Sequence, residues 1–192
     1  MYIRNGAGNI KRYKSLGMTK IAVYKERRAM MVFENGAGLI ALVVLTVLMF
    51  LVVPWERIRA LLNFGLIFGV GLPFIVIGLM QNLFGFWTYR GVDPITVAEI
   101  PVFLAITWFP SVIIFAHLLV QYRSILLRVL LWLAVAVAVG ALQFLLMLNN
   151  MLVMQNWTLT ATFFLTLFIH AGMAVALHFM GHIDLKSLLR LS

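Results

Sequence analysis

Polar positions divide this chain into long apolar stretches joined by short loops, and the lengths of those stretches decide its fold class. A helix needs about 20 apolar residues to cross the hydrocarbon core of a bilayer. The chain offers five such runs, at about 36–55, 60–82, 97–120, 129–149 and 158–180. The first ends at Pro54-Trp55. The second is free of charge from Ala60 to Tyr89 and contains Gly65, Gly69, Gly71 and Pro73. The third, from Ile100 to Val120, is broken by Thr107, Pro110, Ser111 and His117. Gln143 is the one strongly polar member of the fourth from Val129 to Leu148, and the fifth holds His170 and His178. Short connections make consecutive helices antiparallel neighbours in one bundle. The pattern therefore predicts an all-α, polytopic transmembrane bundle of about five spans, with residues 30–192 as a single domain. Gln81 to Trp87 exceeds what the second span needs, and is expected along the interface, where aromatic rings settle.

Composition sharpens this picture. Hydrophobic residues make up 64% and charged residues 11% of the chain, too little polar surface for a soluble domain of this size. Cysteine is absent, which excludes disulfides, thiolate metal sites and cysteine nucleophiles. The net charge of +9 is clustered: eight of the fifteen Lys and Arg fall within the first 28 residues, and the others sit at the ends of apolar runs. That is the distribution of membrane flanks and not of a nucleic-acid-binding face.

Residues 1–29 form a basic, polar segment open to two readings. One is a genuine disordered arm drawn to anionic lipid head groups. The other follows from the genetic code, since Lys25-Glu26-Arg27-Arg28 can be encoded as a purine-rich bacterial ribosome-binding site followed by Met30-Met31. On that reading the segment is an untranslated leader. Orientation bears on the choice. Arg57, Arg59, Arg123, Arg128, Lys186 and Arg190 lie on one side, and Arg90 alone on the other once the leader is set aside. The positive-inside rule then gives an N-out, C-in protein of the bacterial cytoplasmic membrane. With the leader restored, its eight positive residues oppose those six.

The chemistry begins at Phe84 to Pro94 and continues through Glu99, Pro101 and Pro110. Asp93-Pro94 can cap the third helix. Alternatively Thr96-Val97-Ala98-Glu99 forms a capping box, which would give Glu99 a purely structural task. Glu99 at the membrane boundary could instead pair with Arg90 or serve as a functional acid. Gln143 and Asn150 are seven apart, on one face of the fourth helix. With Gln81, Asn82, Asn149, Gln155 and Asn156 they could form an outward-facing polar pocket, or be wetted by head groups. His117 and His178 each lie about one turn from the inner ends of their spans, a depth at which two histidines could ligate a b-type haem. His178 and His182 share a face without further metal ligands. Pro73, Pro101 and Pro110 break the helical ladder, as at substrate sites in transporters. No phosphate-binding glycine loop, nucleophile elbow or paired carboxylates are present, so no catalytic residue and no cofactor is assigned.

Phe86-Trp87-Thr88-Tyr89, the Pro101 to Pro110 segment and Asn156-Trp157 resemble a group of uncharacterised five-helix membrane proteins of endospore-forming Firmicutes, over about Trp87 to Met180. The resemblance implies the five-helix architecture and no activity. Those proteins tend to carry an acid in the fourth helix about where Gln143 stands, a departure that argues against acid chemistry there. A likeness to the small membrane lycopene cyclases, which pair a proline with adjacent acids, stops at Glu99-Ile100-Pro101, where the second acid and the order are missing. Three roles are thus expected. The first is a non-enzymatic accessory subunit, with a membrane protein partner or as a homo-oligomer, whose small residues in the second span permit close helix contact. The second is a small-solute carrier or channel, and the third a haem electron-transfer subunit.

Overall fold

A computed structural model describes residues 35–182. The basic segment 1–29, with Lys186 and Arg190, lies outside the described residues. Apolar helix α1 (Ala37–Val52) is followed by the short α2 (Trp55–Ala60). Four further helices are long and apolar enough to cross a membrane: α3 (Leu62–Leu83), α4 (Val102–Gln121), α5 (Ile125–Leu148) and α6 (Leu159–Phe179). At 16 residues α1 is shorter. It reaches about 24 Å, against a hydrocarbon core of about 30 Å. The chain is an all-α transmembrane bundle. Four very short strands, β1 (Trp87–Tyr89), β2 (Thr96–Val97), β3 (Ile100–Pro101) and β4 (Leu152–Met154), gather at one end. That end is called the sheet end below, and the opposite one, with Arg57 and Arg123, the basic end.

Proline sets most of the irregularities. Val53, held extended by Pro54, ends α1 (φ −109°, ψ 120°). Pro73 cannot donate to the Gly69 carbonyl and crowds it. The helix responds by widening, and Gly65–Gly71 winds as a π-helix, as does Leu79–Leu83. Pro110 crowds the carbonyl of Ile106 in the same way, and α4 breaks at Thr107. Local hydroxyls bond carbonyls beside the break: Thr107 Oγ1 donates to Leu104 (2.6 Å) and Ser111 Oγ to Thr107 (2.8 Å).

The third span starts at Val102, not near residue 97, because Thr96–Pro101 forms a two-strand hairpin instead of a helix. Val97 pairs with Ile100, leaving Ala98 and Glu99 as a two-residue turn with φ of 49° and 64°. Both residues are left-handed, as such a turn demands. The capping box expected for Thr96 and Glu99 is thereby overturned. The other spans keep their expected places to within four residues.

Helix α4 is the axis of the bundle, the most buried of the four long helices, and α5 is the least buried. Helices α3 and α1 pack along α4, while α5 and α6 pack on each other as a hairpin. A second contact set, of Phe64, Ile113, Phe115 and Leu119 with Met173 and Leu177, joins the two groups in the basic-end half. The glycines of the second span work inside the chain. A Cβ on Gly65 would meet the Phe109 ring, and one on Gly69 would lie 2.5 Å from Phe109 Cα. The close helix contact expected of these small residues is thus made with α4.

Gly69→Ala should therefore destabilise, by about 1–3 kcal/mol, because the clash is with backbone that no rotamer change relieves. Gly140 in α5 has open space around it, and Gly140→Ala should be neutral or gain up to about 1 kcal/mol from helix propensity. Unfolding of the two variants in detergent micelles checks this contrast.

Candidate functional site

Strand pairing builds the site. β1 and β4 run antiparallel, with Trp87 opposite Met154, Thr88 opposite Val153 and Tyr89 opposite Leu152. The ladder extends by Arg90 N–H to the Met151 carbonyl (2.8 Å) and Gln155 N–H to that of Phe86 (2.9 Å). The pairing brings Trp157 against both Phe86 (stacked, 4.8 Å) and Trp87 (edge-on, 5.6 Å). It also closes the sheet end of a cavity of about 120 Å³ walled by all five apolar helices.

Its lining mixes aliphatic side chains, including Ile77, Val135 and Val139, with polar ones. Gln143, buried on α5, accepts from Thr162 Oγ1 (2.7 Å), which in turn accepts from Trp157 Nε1 (2.9 Å). The Tyr89 hydroxyl is hydrogen-bonded to the Gln143 side chain; burial pushes its phenol up to about 12, with that bond pulling the other way. Gln81 fixes Tyr89 from behind, accepting its N–H at 3.2 Å. Further along α6, Thr166 and His170 are buried and line the same space. His170 Nδ1 lies 2.8 Å from the Thr166 carbonyl. A carbonyl only accepts, so Nδ1 carries the proton and a neutral ring keeps Nε2 as an acceptor. Its ring meets Phe115 edge-on at 4.7 Å, which is where the third and fifth spans touch. Trp87 also lines the cavity, and its buried indole N–H has no protein partner. The side chains lining this cavity carry no Asp, Glu, Lys or Arg.

Of the residues singled out from sequence, Gln143 belongs to this cavity, and Gln81 supports it. Asn150 does not share the face of Gln143, because α5 ends at Leu148. It adopts φ 56° just past the helix end. Its N–H bonds to Met147 O (3.0 Å), while that of Met151 bonds to Leu146 O (2.8 Å), so Asn150 is a helix C-terminal cap. Arg90 and Glu99 are both exposed, and no ion pair joins them among the described residues. Glu99 contributes its carbonyl: Gln81 Nε2 donates to it (3.0 Å), and Asn82 Nδ2 to that of Ala98 (3.0 Å).

Asp93 does cap the third helix, though from a distance. Pro101 occupies the cap position without a side-chain acceptor. Asp93 Oδ2, eight residues upstream, takes the Leu104 N–H instead (2.8 Å). The carboxylate is buried against Gly38, where any Cβ would collide with it, so Asp93 also locks the start of α1 onto α4.

The histidines expected to act as a pair are placed differently. His117 lines a second cavity, at the basic end, together with His182. His178 lies on α6 with its ring 5.7 Å from that of Phe179 and does not line that cavity. Among the described residues no three His, Asp or Glu side chains group as metal ligands. The interior histidine is His170. Sequence carried a signal for it: Thr162, Thr166 and His170 recur at i, i+4 and i+8, a polar stripe down an otherwise apolar helix.

No family model matches the chain, and no curated protein or solved structure resembles it closely enough to match.

Two outcomes follow from the sheet end. Burial pushes the Asp93 carboxyl above the usual carboxylate range, and the amides of Leu104 and Phe103 pull the other way. A carboxyl raised in the fold stabilises fully below its ordinary pKa, and that contribution is lost as pH rises through the raised value. The melting temperature should thus fall across that window, and Asp93→Asn should flatten the profile. Asp93→Ala, which leaves buried amides unpaired, should lose about 1–3 kcal/mol.

The turn gives the second. Left-handed backbone strains Ala98 and Glu99 by about 1–2 kcal/mol each. Replacing the pair by Asn-Gly, the sequence this turn prefers, should raise the melting temperature if Glu99 serves only the turn. Lost function in a stabilised variant would instead mark the Glu99 carboxylate as a working group.

Proposed function

We propose that this chain is a carrier or channel for a small neutral solute, bound in the cavity beneath the β1–β4 pair. The observation behind the proposal is an uncharged, hydrogen-bonding recess in the interior of an otherwise apolar bundle. Polar side chains within a membrane are expensive unless they pair or serve a ligand. Here Gln143, Thr162 and Tyr89 satisfy one another, while the Trp87 indole N–H is left as a donor and His170 Nε2 as an acceptor. The absence of charged lining side chains favours a neutral guest, since an ion would be desolvated without compensation. A cavity near 120 Å³ suits a guest of a few heavy atoms, comparable with cavities known to take a benzene-sized molecule.

The route of exchange follows from packing. The α5–α6 hairpin packs chiefly on itself and meets the other helices through the strand pair at one end, the Phe115–His170 contact and the Met173–Leu177 packing. Motion of one group of helices against the other about a fixed central site is how alternating access works. With the basic end in the cytoplasm, as the positive-inside rule favours, the strand pair faces outward. The accessory-subunit role, which rests on short loops and small residues in the second span, does not call for this recess.

Stopped-flow light scattering on proteoliposomes, with glycerol, urea and acetamide as probes, tests the proposal. Wild-type protein should speed entry of at least one probe over protein-free vesicles. Gln143→Leu or Thr166→Val should reduce that rate by about two- to tenfold, the worth of one hydrogen bond, without changing the reconstituted amount. Rates equal to those of empty vesicles for every probe would leave the accessory role standing.

A further inference from the structure

We propose that the cavity at the basic end is a phosphate-binding site for an anionic ligand, lined by none of the residues of the solute cavity. Its volume is about 370 Å³, and Arg57, His117, Gln121, Arg123 and His182 converge on it. These residues come from four separate segments, each fixed by its own local structure. Arg57 stands on α2. His117 and Gln121 occupy the last turn or so of α4. Arg123 sits in an extended linker that Arg128 holds, its Nε donating to the Tyr122 carbonyl at 2.7 Å. His182 is positioned by the turn that ends α6, where Gly181 takes φ 76° and the His182 N–H reaches the Leu177 carbonyl at 2.9 Å.

The charge balance favours an anion. Basic residues at helix C-termini are expected simply to offset the macrodipole, so that role must be subtracted first. The ends of α4 and α6 carry roughly half a negative charge each, about one in total, against two arginines. An excess of positive charge remains, and no carboxylate lines the cavity. The neighbouring arginine is engaged otherwise: the guanidinium of Arg59 lies 5.0 Å from the centroid of the Trp55 ring. Arginine pairs match phosphate oxygens in number and geometry, and the histidine and glutamine side chains add donors. The remaining lining, Ala60, Leu61 and Val120, is apolar, which suits the glycerol and upper acyl carbons of a phospholipid. Basic pockets between spans on the cytoplasmic side are where anionic lipid head groups bind. A soluble phosphate monoester offers the same head-group chemistry without the chains.

Thermal unfolding of the full chain in nanodiscs tests the site and separates the two sources. In phosphatidylcholine discs the reference is measured alone and with millimolar glycerol 3-phosphate; a third sample contains phosphatidylglycerol. Phosphatidylglycerol is expected to raise the melting temperature by roughly 5 °C, and Arg57→Gln with Arg123→Gln to erase the rise. Arg59→Gln, outside the cavity, should leave it intact. A rise with glycerol 3-phosphate that the double variant also erases supports the site with a soluble ligand. No rise with either probe, or one equally sensitive to Arg59→Gln, overturns the proposal by reducing the effect to general surface charge. Should the double variant not fold in phosphatidylcholine, Arg123→Gln alone decides, because that side chain is exposed on the linker. Retention of the full rise in Arg123→Gln overturns the site, and a reduced rise supports it.

Discussion

Three residues of strand pairing, Trp87 to Tyr89 against Leu152 to Met154, hold this bundle in its working arrangement. Helices α5 and α6 pack chiefly on each other, and in lipid no hydrophobic force drives such a hairpin against its neighbours, because acyl chains are as apolar as the helices. Directional bonds must supply that register. The β1–β4 ladder does so at the sheet end, and two polar contacts of the cavity are arranged from it. Tyr89 reaches Gln143 because its strand is anchored to β4, and Trp157 reaches Thr162 because it follows the same strand. The aromatic rings of Phe86, Trp87 and Trp157 then cover the ladder.

The architecture was legible because length and hydropathy alone determine which segments can cross a bilayer. The polar site was only half legible. Gln143 stands out in an apolar run, and Gln81 lies near a span end, so both drew attention. Their contacts were not legible, because Tyr89 reaches Gln143 and Trp157 reaches Thr162 through a strand pairing too short to leave an alternating pattern. Two three-residue strands separated by more than sixty residues carry almost no periodic signal. The turn at Ala98-Glu99 was hidden for a different reason. Neither residue favours left-handed backbone, and the conformation is held by the side-chain amides of Gln81 and Asn82 on another element. Local sequence there points to a capping box, and tertiary hydrogen bonds override it.

Asp93 shows how a correct chemical role can come from an unexpected geometry. The third helix needs an acceptor for its first amides, and Pro101 at the cap position cannot provide one. A carboxylate on a preceding loop performs the task only if the loop folds back and if α1 comes close enough to shield it. Gly38 permits that approach. One residue thus couples the starts of two spans, which is why its substitution should be felt as stability and not as lost binding.

The two cavities differ in a way that bears on how the protein could work. The inner recess is neutral and lies among all five apolar helices, while the basic-end cavity is cationic and draws on α2, the end of α4, the α4–α5 linker and the end of α6. An anion bound at the basic end would therefore bridge both helix groups at the end opposite the strand pair. Clamped at one end by backbone hydrogen bonds and at the other by shared charge, the groups could separate only by bending between the clamps. The breaks imposed by Pro73 and Pro110, with the π turns of α3, lie in that middle region, where helical hydrogen bonds are already loosened. Occupancy of the basic end would then bias the opening of the neutral recess through the α5–α6 hairpin, with no direct contact between the two ligands.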